Sequence, residues 1–306
     1  MRQRTLSQSY TFEGKGLHTG RIARMTVHPA PADTGIRFRR VDQGEHAWIP
    51  ACADRVSSTA RSTRLSADGC DVNTVEHILS ALTGMGIDNA VIDIDNIEVP
   101  ILDGSARFYV EAFGGDSLVE QDAERKYLDL SETVEVHDEK SGSWVRIEPA
   151  DKPSYEITVD FSSRVLGVQT ASWEPGQDYA HQIGICRTFV FFHEIEYLFA
   201  NNLIKGGDVD NAIVIVEHPV SDEQLDRMSA AMGLPKLQVV GGGYLNNLKL
   251  HFDNECGRHK LLDLIGDMRL AGGWLNARVT AFKPGHTINN LAARAVLRQL
   301  RESGQI

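Results

Sequence analysis

Polar and apolar positions alternate at residues 24–27 and again at 36–41, with the turn His28-Pro29-Ala30-Pro31 between them. A period of two with a proline-rich break predicts two strands. At 73–85 the period lengthens. Ile78, Leu79, Leu82 and Met85 recur every three or four residues, which predicts a helix with one apolar stripe. Asn73 with Glu76 three residues on reads as a capping box, and Gly84 and Gly86 read as the stop. A strand at 90–95, a loop at 100–105 and a short helix at 108–113 follow. Residues 114–126 hold six charged residues and two glycines, and are expected to be a linker.

Beyond it the pattern predicts strands at 128–136, 144–147 and 155–161. A strand–helix–strand unit is expected at 187–192, 194–201 and 212–217, with Gly206-Gly207 before its last strand. Helices are expected at 222–232 and 254–270, then a strand at 275–282 and a C-terminal helix at 288–300. Two of these units resemble each other. The helix opening at Glu76-His77 ends in a glycine-rich turn before a strand, and so does the helix carrying His259-Lys260. Duplication of an α+β unit explains this, and a pseudo-two-fold between the copies would bring His77 and His259 together. Any two helix–strand units share such features, so the repeat alone leaves the question open.

The chain has 306 residues, which corresponds to about two domains. Hydrophobic residues make up 42% and charged residues 24%, an ordinary globular balance. The net charge of −11 argues against nucleic acid as a main partner, since phosphate binding needs a basic face. No apolar run approaches the ~18 residues of a membrane span, and no secretory signal follows Met1. Cys52, Cys70, Cys186 and Cys256 are scattered, which fits free thiols in a reducing, cytoplasmic compartment. A metal site would therefore rest on histidine and carboxylate.

His259 and Asp263 are four residues apart, so both project from one helix face and can grip a single metal ion; Asp267 follows one turn later. A solvated helix face gives the same pattern, but the flanking Leu261, Leu262, Leu264, Ile265 and Met268 leave only a narrow acidic stripe, as a cleft wall would. Glu76 and His77 are adjacent and point ~100° apart, so one can hold a metal while the other reaches its water. A helix-capping carboxylate beside a helix-surface histidine is the plainer alternative. His286, after Lys283-Pro284-Gly285, is a candidate for acid–base work. The glycine-rich Gly14–Gly20 turn lacks the ending of a P-loop, and His18, His181 and His193 have no assignable role.

Taken together, the motifs resemble the zinc-dependent UDP-3-O-(3-hydroxyacyl)-N-acetylglucosamine deacetylases of bacterial lipid A synthesis. The resemblance runs through Gln3-Arg4-Thr5-Leu6, Gly16-Leu17-His18-Thr19-Gly20, Thr74-Val75-Glu76-His77-Ile78-Leu79-Ser80-Ala81-Leu82, Gly86-Ile87-Asp88-Asn89-Ala90 and Val99-Pro100-Ile101-Leu102-Asp103-Gly104-Ser105. It continues in Arg187-Thr188-Phe189, Gly206-Gly207, Arg258-His259-Lys260-Leu261-Leu262-Asp263 and Pro284-Gly285-His286.

The resemblance implies an α+β fold of two similar domains, 1–122 and 127–306, each a small β-sheet layered with helices and packed face to face. It also implies a β-α-β insert at 188–216 that lines an acyl passage. The implied ligands of Zn²⁺ are His77, His259 and Asp263, with Glu76 as general base. His286 would stabilise the oxyanion and protonate the amine, oriented by Asp267, while Thr188 polarises the acetamide. Lys260 would meet the diphosphate side. Phe189, Phe191, Ile195, Ile204, Val209 and Val214 would line the passage, and Phe161 would face the uridine. The implied substrate is a UDP-linked acylated amino sugar.

Val190, His193 and Cys256-Gly257 depart from the family pattern without touching the ligand set. Some family members continue into a dehydratase; this sequence ends after its last helix, so such a partner is expected to be absent or removed. One other reading stays open at this point, a zinc amidase for a different acylated amino sugar; a non-catalytic glycolipid-binding descendant should have lost a ligand or Glu76, and retention of all six polar candidates argues against it. Iron could replace zinc in such a nitrogen–oxygen site.

Overall fold

The computed structural model describes residues 1–44, 47–195, 211–232 and 235–306. Its frame is mixed α+β, and the internal repeat is visible in its topology. One five-stranded sheet pairs in the order Tyr10–Lys15, Ile22–Pro29, Ala90–Ile94, Ile36–Arg40, Trp48–Pro50. A second sheet pairs in the order Val134–Asp138, Ser143–Pro149, Trp274–Phe282, Ser154–Asp160, Val168–Trp173. In each, the central strand follows a helix. It runs antiparallel to the second strand of the opening hairpin and parallel to the strand after that. A helix follows each central strand as well, Arg107–Ala112 in one half and His286–Glu302 in the other. Shared strand order and direction therefore carry the repeat much further than the sequence did.

The helices that precede the central strands, Glu76–Gly84 and Glu255–Arg269, pack against each other. This explains why the first is buried all round rather than along one stripe: Ile78, Leu79 and Leu82 meet apolar neighbours, and Glu76, His77, Ser80 and Thr83 are buried too. The approach is close. A Cβ on Gly266 would lie 2.0 Å from the Glu76 carbonyl oxygen, so only glycine lets the two backbones meet there.

Three local expectations are corrected. The capping box does not form. Asn73 belongs to the strand Cys70–Asn73 and accepts a hydrogen bond from Arg64, and Val75 occupies the N-cap position with no side-chain cap. Thr74, at φ +60°, turns the chain, and the Thr63 carbonyl accepts the Thr74 N–H instead. The expected linker contains the strand Leu118–Glu124, paired antiparallel with Arg2–Leu6. The expected 128–136 strand is broken into Tyr127–Asp129 and Val134–Asp138.

The stretch expected to form the insert contributes to a four-stranded sheet. Phe189–Phe191 and Ile213–Ile215 pair in parallel, residues 192–195 begin a helical turn, and Val239–Val240 with Tyr244–Leu245 extend the sheet to four strands. The helix Asp222–Met232 lies where the pattern put it. Gly206-Gly207, Ile204, Val209 and most of the expected 194–201 helix lie outside the described residues. Among the described residues no helix is long and apolar enough to cross a membrane.

Candidate active site

The paired helices put their chemistry on their shared face. Glu76 and His77 open one helix; His259, Lys260, Asp263 and Asp267 lie along the other; His286 is the first residue of the C-terminal helix. All these side chains are buried or nearly so, so their charges interact through protein rather than bulk water.

His77, His259 and Asp263 converge, with one ligand atom from each lying within 4.8 Å of the others. Asp263 Oδ1 is 3.6 Å from His77 Nε2 and 3.5 Å from His259 Nε2, and the two rings meet edge to face at 5.0 Å. His259 Nδ1 bonds to the Cys186 carbonyl at 3.0 Å, which directs Nε2 inward. Lys260 Nζ donates to Asp263 Oδ2 at 2.8 Å. Among the described residues, Asp263 Oδ1 is buried without a hydrogen-bond partner. A buried carboxylate oxygen left bare between two imidazole nitrogens is costly unless a cation takes it up, and the donor set of two nitrogens and one oxygen suits zinc.

The same environment sets the protonation states. Burial pushes His77 down to about 3, and the neighbouring His259 adds to the effect, so the imidazole is neutral as a ligand must be. Burial likewise lowers His259. Burial opposes the charge on Asp263, yet neighbouring positive charge, Lys260 above all, outweighs it and holds the carboxylate well below its usual range.

Beside the trio lie Glu76 and His286, with Glu76 Oε1 3.7 Å from His286 Nε2. Burial raises Glu76 to about 7, with Asp267 and Asp263 adding to the rise and the His286 charge opposing it. Burial disfavours the His286 cation, but Asp267 and Glu76 overcome this and raise it to about 9. His286 Nδ1 bonds to Asp267 Oδ2 at 3.0 Å. The site therefore sets a carboxylate that ionises near neutrality against an imidazolium that persists above it.

The other expected residues divide. Thr188 is half-buried two residues after Cys186, whose carbonyl bonds to His259, and its N–H donates to the Gly104 carbonyl at 2.8 Å. Lys260 sits over the Phe189 ring at 5.7 Å, with its ammonium bound to Asp263. Phe161 meets Phe189 and Phe191 edge to face at 5.4 and 6.1 Å, which joins it to the aromatic wall of the insert. Phe189 and Phe191 keep part of their surface open. Ile195 and Val214 instead pack into a buried cluster with Phe192, Val216, Leu225 and Leu245.

Sequence reasoning missed several partners. Thr63 contacts both Glu76 and Asp267, and Asn289 donates to Asp267 Oδ2 at 2.9 Å. The buried pair Arg187–Glu255, at 2.9 Å, stiffens the chain between Cys186 and Thr188. A single threonine or asparagine has no spacing signature, and these contacts span the length of the chain. The glycine-rich turn at 14–20 serves the same region structurally: Glu98 accepts the N–H groups of His18 and Thr19 and the Thr74 hydroxyl.

A family model described as LpxC: UDP-3-O-acyl N-acetylglycosamine deacetylase matches residues 3–232 and 234–298. A UDP-3-O-acyl-N-acetylglucosamine deacetylase from Saccharophagus degradans is 39% identical over 98% of this chain and 91% of its own length. Bifunctional LpxC/FabZ enzymes are similar too. The one from Porphyromonas gingivalis is 42% identical over 99% of this chain and 65% of its own length, and the one from Chlorobaculum tepidum is 37% identical over 94% and 62%. The chain thus spans less than two thirds of the bifunctional relatives it matches.

Proposed function

Since the chain belongs to the UDP-3-O-acyl N-acetylglycosamine deacetylase family, we propose that it hydrolyses the N-acetyl group of UDP-3-O-(3-hydroxyacyl)-N-acetylglucosamine. The products are the free amine and acetate, as lipid A synthesis in the cytoplasm requires. The observation that carries this reading is the bare Asp263 Oδ1 between two imidazoles, with a raised carboxylate and a raised imidazole alongside.

An amide resists hydrolysis because resonance stabilises it and its amine leaves poorly. His77, His259 and Asp263 would hold zinc, which when bound lowers the pKa of its water to ~7 and polarises the carbonyl. Glu76, ionised above about 7, takes the proton of the attacking water as oxygen adds to the acetamide carbon. His286, cationic below about 9, stabilises the oxyanion and gives its Nε2 proton to nitrogen as the C–N bond breaks. Asp267 holds the opposite ring nitrogen, which fixes the ring through the transfer. Thr188 supports the carbonyl side, and Lys260 takes the diphosphate side.

The acyl chain is assigned to the open aromatic wall of Phe189 and Phe191; the ring contacts of Phe161 with both support placing it on this wall in place of the uridine contact expected from the sequence. The buried packing of Ile195 and Val214 supports a role for them beneath that wall rather than on it.

The deciding experiment loads the purified chain with zinc and offers the UDP-linked acyl sugar. Mass spectrometry should detect acetate and free amine in equal amounts. A metal-loaded protein that releases neither overturns the proposal.

A further inference from the structure

Thr63 stands just before the strand Arg64–Ala67, outside both site helices, and is fully buried. It uses three groups at the centre of the site. Its carbonyl accepts the N–H of Thr74 at 3.0 Å, which fixes the chain entering the Glu76 helix. Its N–H donates to Glu76 Oε2 at 3.0 Å. Its hydroxyl donates to Asp267 Oδ1 at 2.5 Å, accepts from Asn290 Nδ2 at 3.3 Å and lies 3.4 Å from His286 Nδ1 itself.

These contacts leave Asp267 little freedom. Oδ1 is held by Thr63, and Oδ2 receives His286 Nδ1–H at 3.0 Å and Asn289 Nδ2–H at 2.9 Å. A carboxylate gripped at both oxygens cannot rotate, so it fixes the plane of the imidazole bound to it. That plane points His286 Nε2 toward Glu76 Oε1. The residue that orients the acid's partner is thus also the residue whose amide orients the base.

We propose that Thr63 is a positioning residue for the hydrolysis: its hydroxyl locks Asp267 so that His286 presents Nε2–H to the reacting amide. The proposal rests on the roles assigned above to Glu76 and His286.

Thr63→Val removes the hydroxyl but keeps the branched shape and both backbone groups, whereas Thr63→Ser keeps the hydroxyl. For Val, kcat should fall ~10–100-fold, as for other outer partners of a reactive group, while KM and bound metal stay unchanged. Ser should keep near wild-type turnover. An activity-independent readout is the Nδ1–H proton resonance of His286, identified by its loss in His286→Gln. It should stay sharp in Ser and broaden by exchange in Val. If Val does not fold, Thr63→Ala is measured the same way.

Wild-type kcat in Val, equal losses in Val and Ser, or a loss that follows bound metal each overturn the proposal. If metal-loaded wild-type protein releases no acetate, the hydrolase reading fails, and the His286 resonance still decides whether Thr63 orders this pair: an unchanged resonance in Val overturns that role.

Discussion

Glu76 and His286 face each other with Oε1 and Nε2 3.7 Å apart, one raised to about 7 and the other to about 9. As the proposed base, Glu76 works once it has lost its proton, so kcat/KM should rise with pH through about 7. The acid works while His286 keeps its proton, so the rate should fall as pH rises through about 9. A bell with its plateau between these values is expected. His286→Gln should lower the plateau and flatten the alkaline limb; an alkaline limb unchanged in that variant would assign it to another group.

Glu76 tests the base more sharply as Gln than as Ala. Removing the whole carboxylate strands the Thr63 N–H, an unsatisfied donor worth ~1–3 kcal/mol. Glu76→Gln keeps an oxygen there but cannot take a proton. Turnover should fall by ~10²–10⁴, with metal content and melting temperature close to wild type. Retained turnover would return Glu76 to a structural role.

Local geometry made the grouping of these side chains legible in the sequence, while the ligand set and the roles came from the family resemblance. Glu76-His77 and His259, Asp263 and Asp267 each sit within one helix, where spacing fixes direction. Thr63 and Asp267 are 204 positions apart, and nothing in the local pattern announces that they meet. Glu76 shows how a correct element can carry a wrong detail: its spacing from Asn73 fits a capping box, but Asn73 is engaged in a strand and the carboxylate goes to Thr63. The strand Leu118–Glu124 hid for a different reason. It lies in a two-stranded sheet with mostly exposed side chains, so its composition reads as a linker.

The proposed ligand set of His77, His259 and Asp263 predicts linked losses of metal and stability. His77→Ala and Asp263→Ala should each purify without zinc and without activity. In the wild type, a chelator should lower the melting temperature and added zinc should restore it, because a ligand bound only to the folded state stabilises it. Full zinc occupancy in either variant would remove that residue from the set.

Gly266→Ala probes the seam between the paired helices. The added Cβ would lie 2.0 Å from the Glu76 carbonyl, against backbone that cannot swing aside. The helices must separate, at ~1–3 kcal/mol as for other overpacked sites. Since Glu76 and Asp263 ride on opposite helices, turnover should fall in the protein that remains folded. Denaturant melts and rates corrected for the folded fraction would test this, and an undiminished rate would show that the site tolerates the shift.

The acyl wall is tested by comparing a long-chain substrate with a short-chain one. Phe191 is partly open and stands at the edge of Phe161, whereas Val214 is sealed in the cluster with Phe192 and Leu225. Each buried CH₂ contributes ~0.8 kcal/mol, so a long chain has much to lose from a damaged wall. Phe191→Ala should raise KM for the long-chain substrate and leave the short-chain one nearly unchanged. Val214→Trp should behave differently: it overpacks the cluster, lowers the melting temperature and affects both substrates alike. If Phe191→Ala weakens both substrates equally, the chain lies elsewhere. If Val214→Trp discriminates between them without loss of stability, the passage runs through the cluster instead of over the aromatic wall.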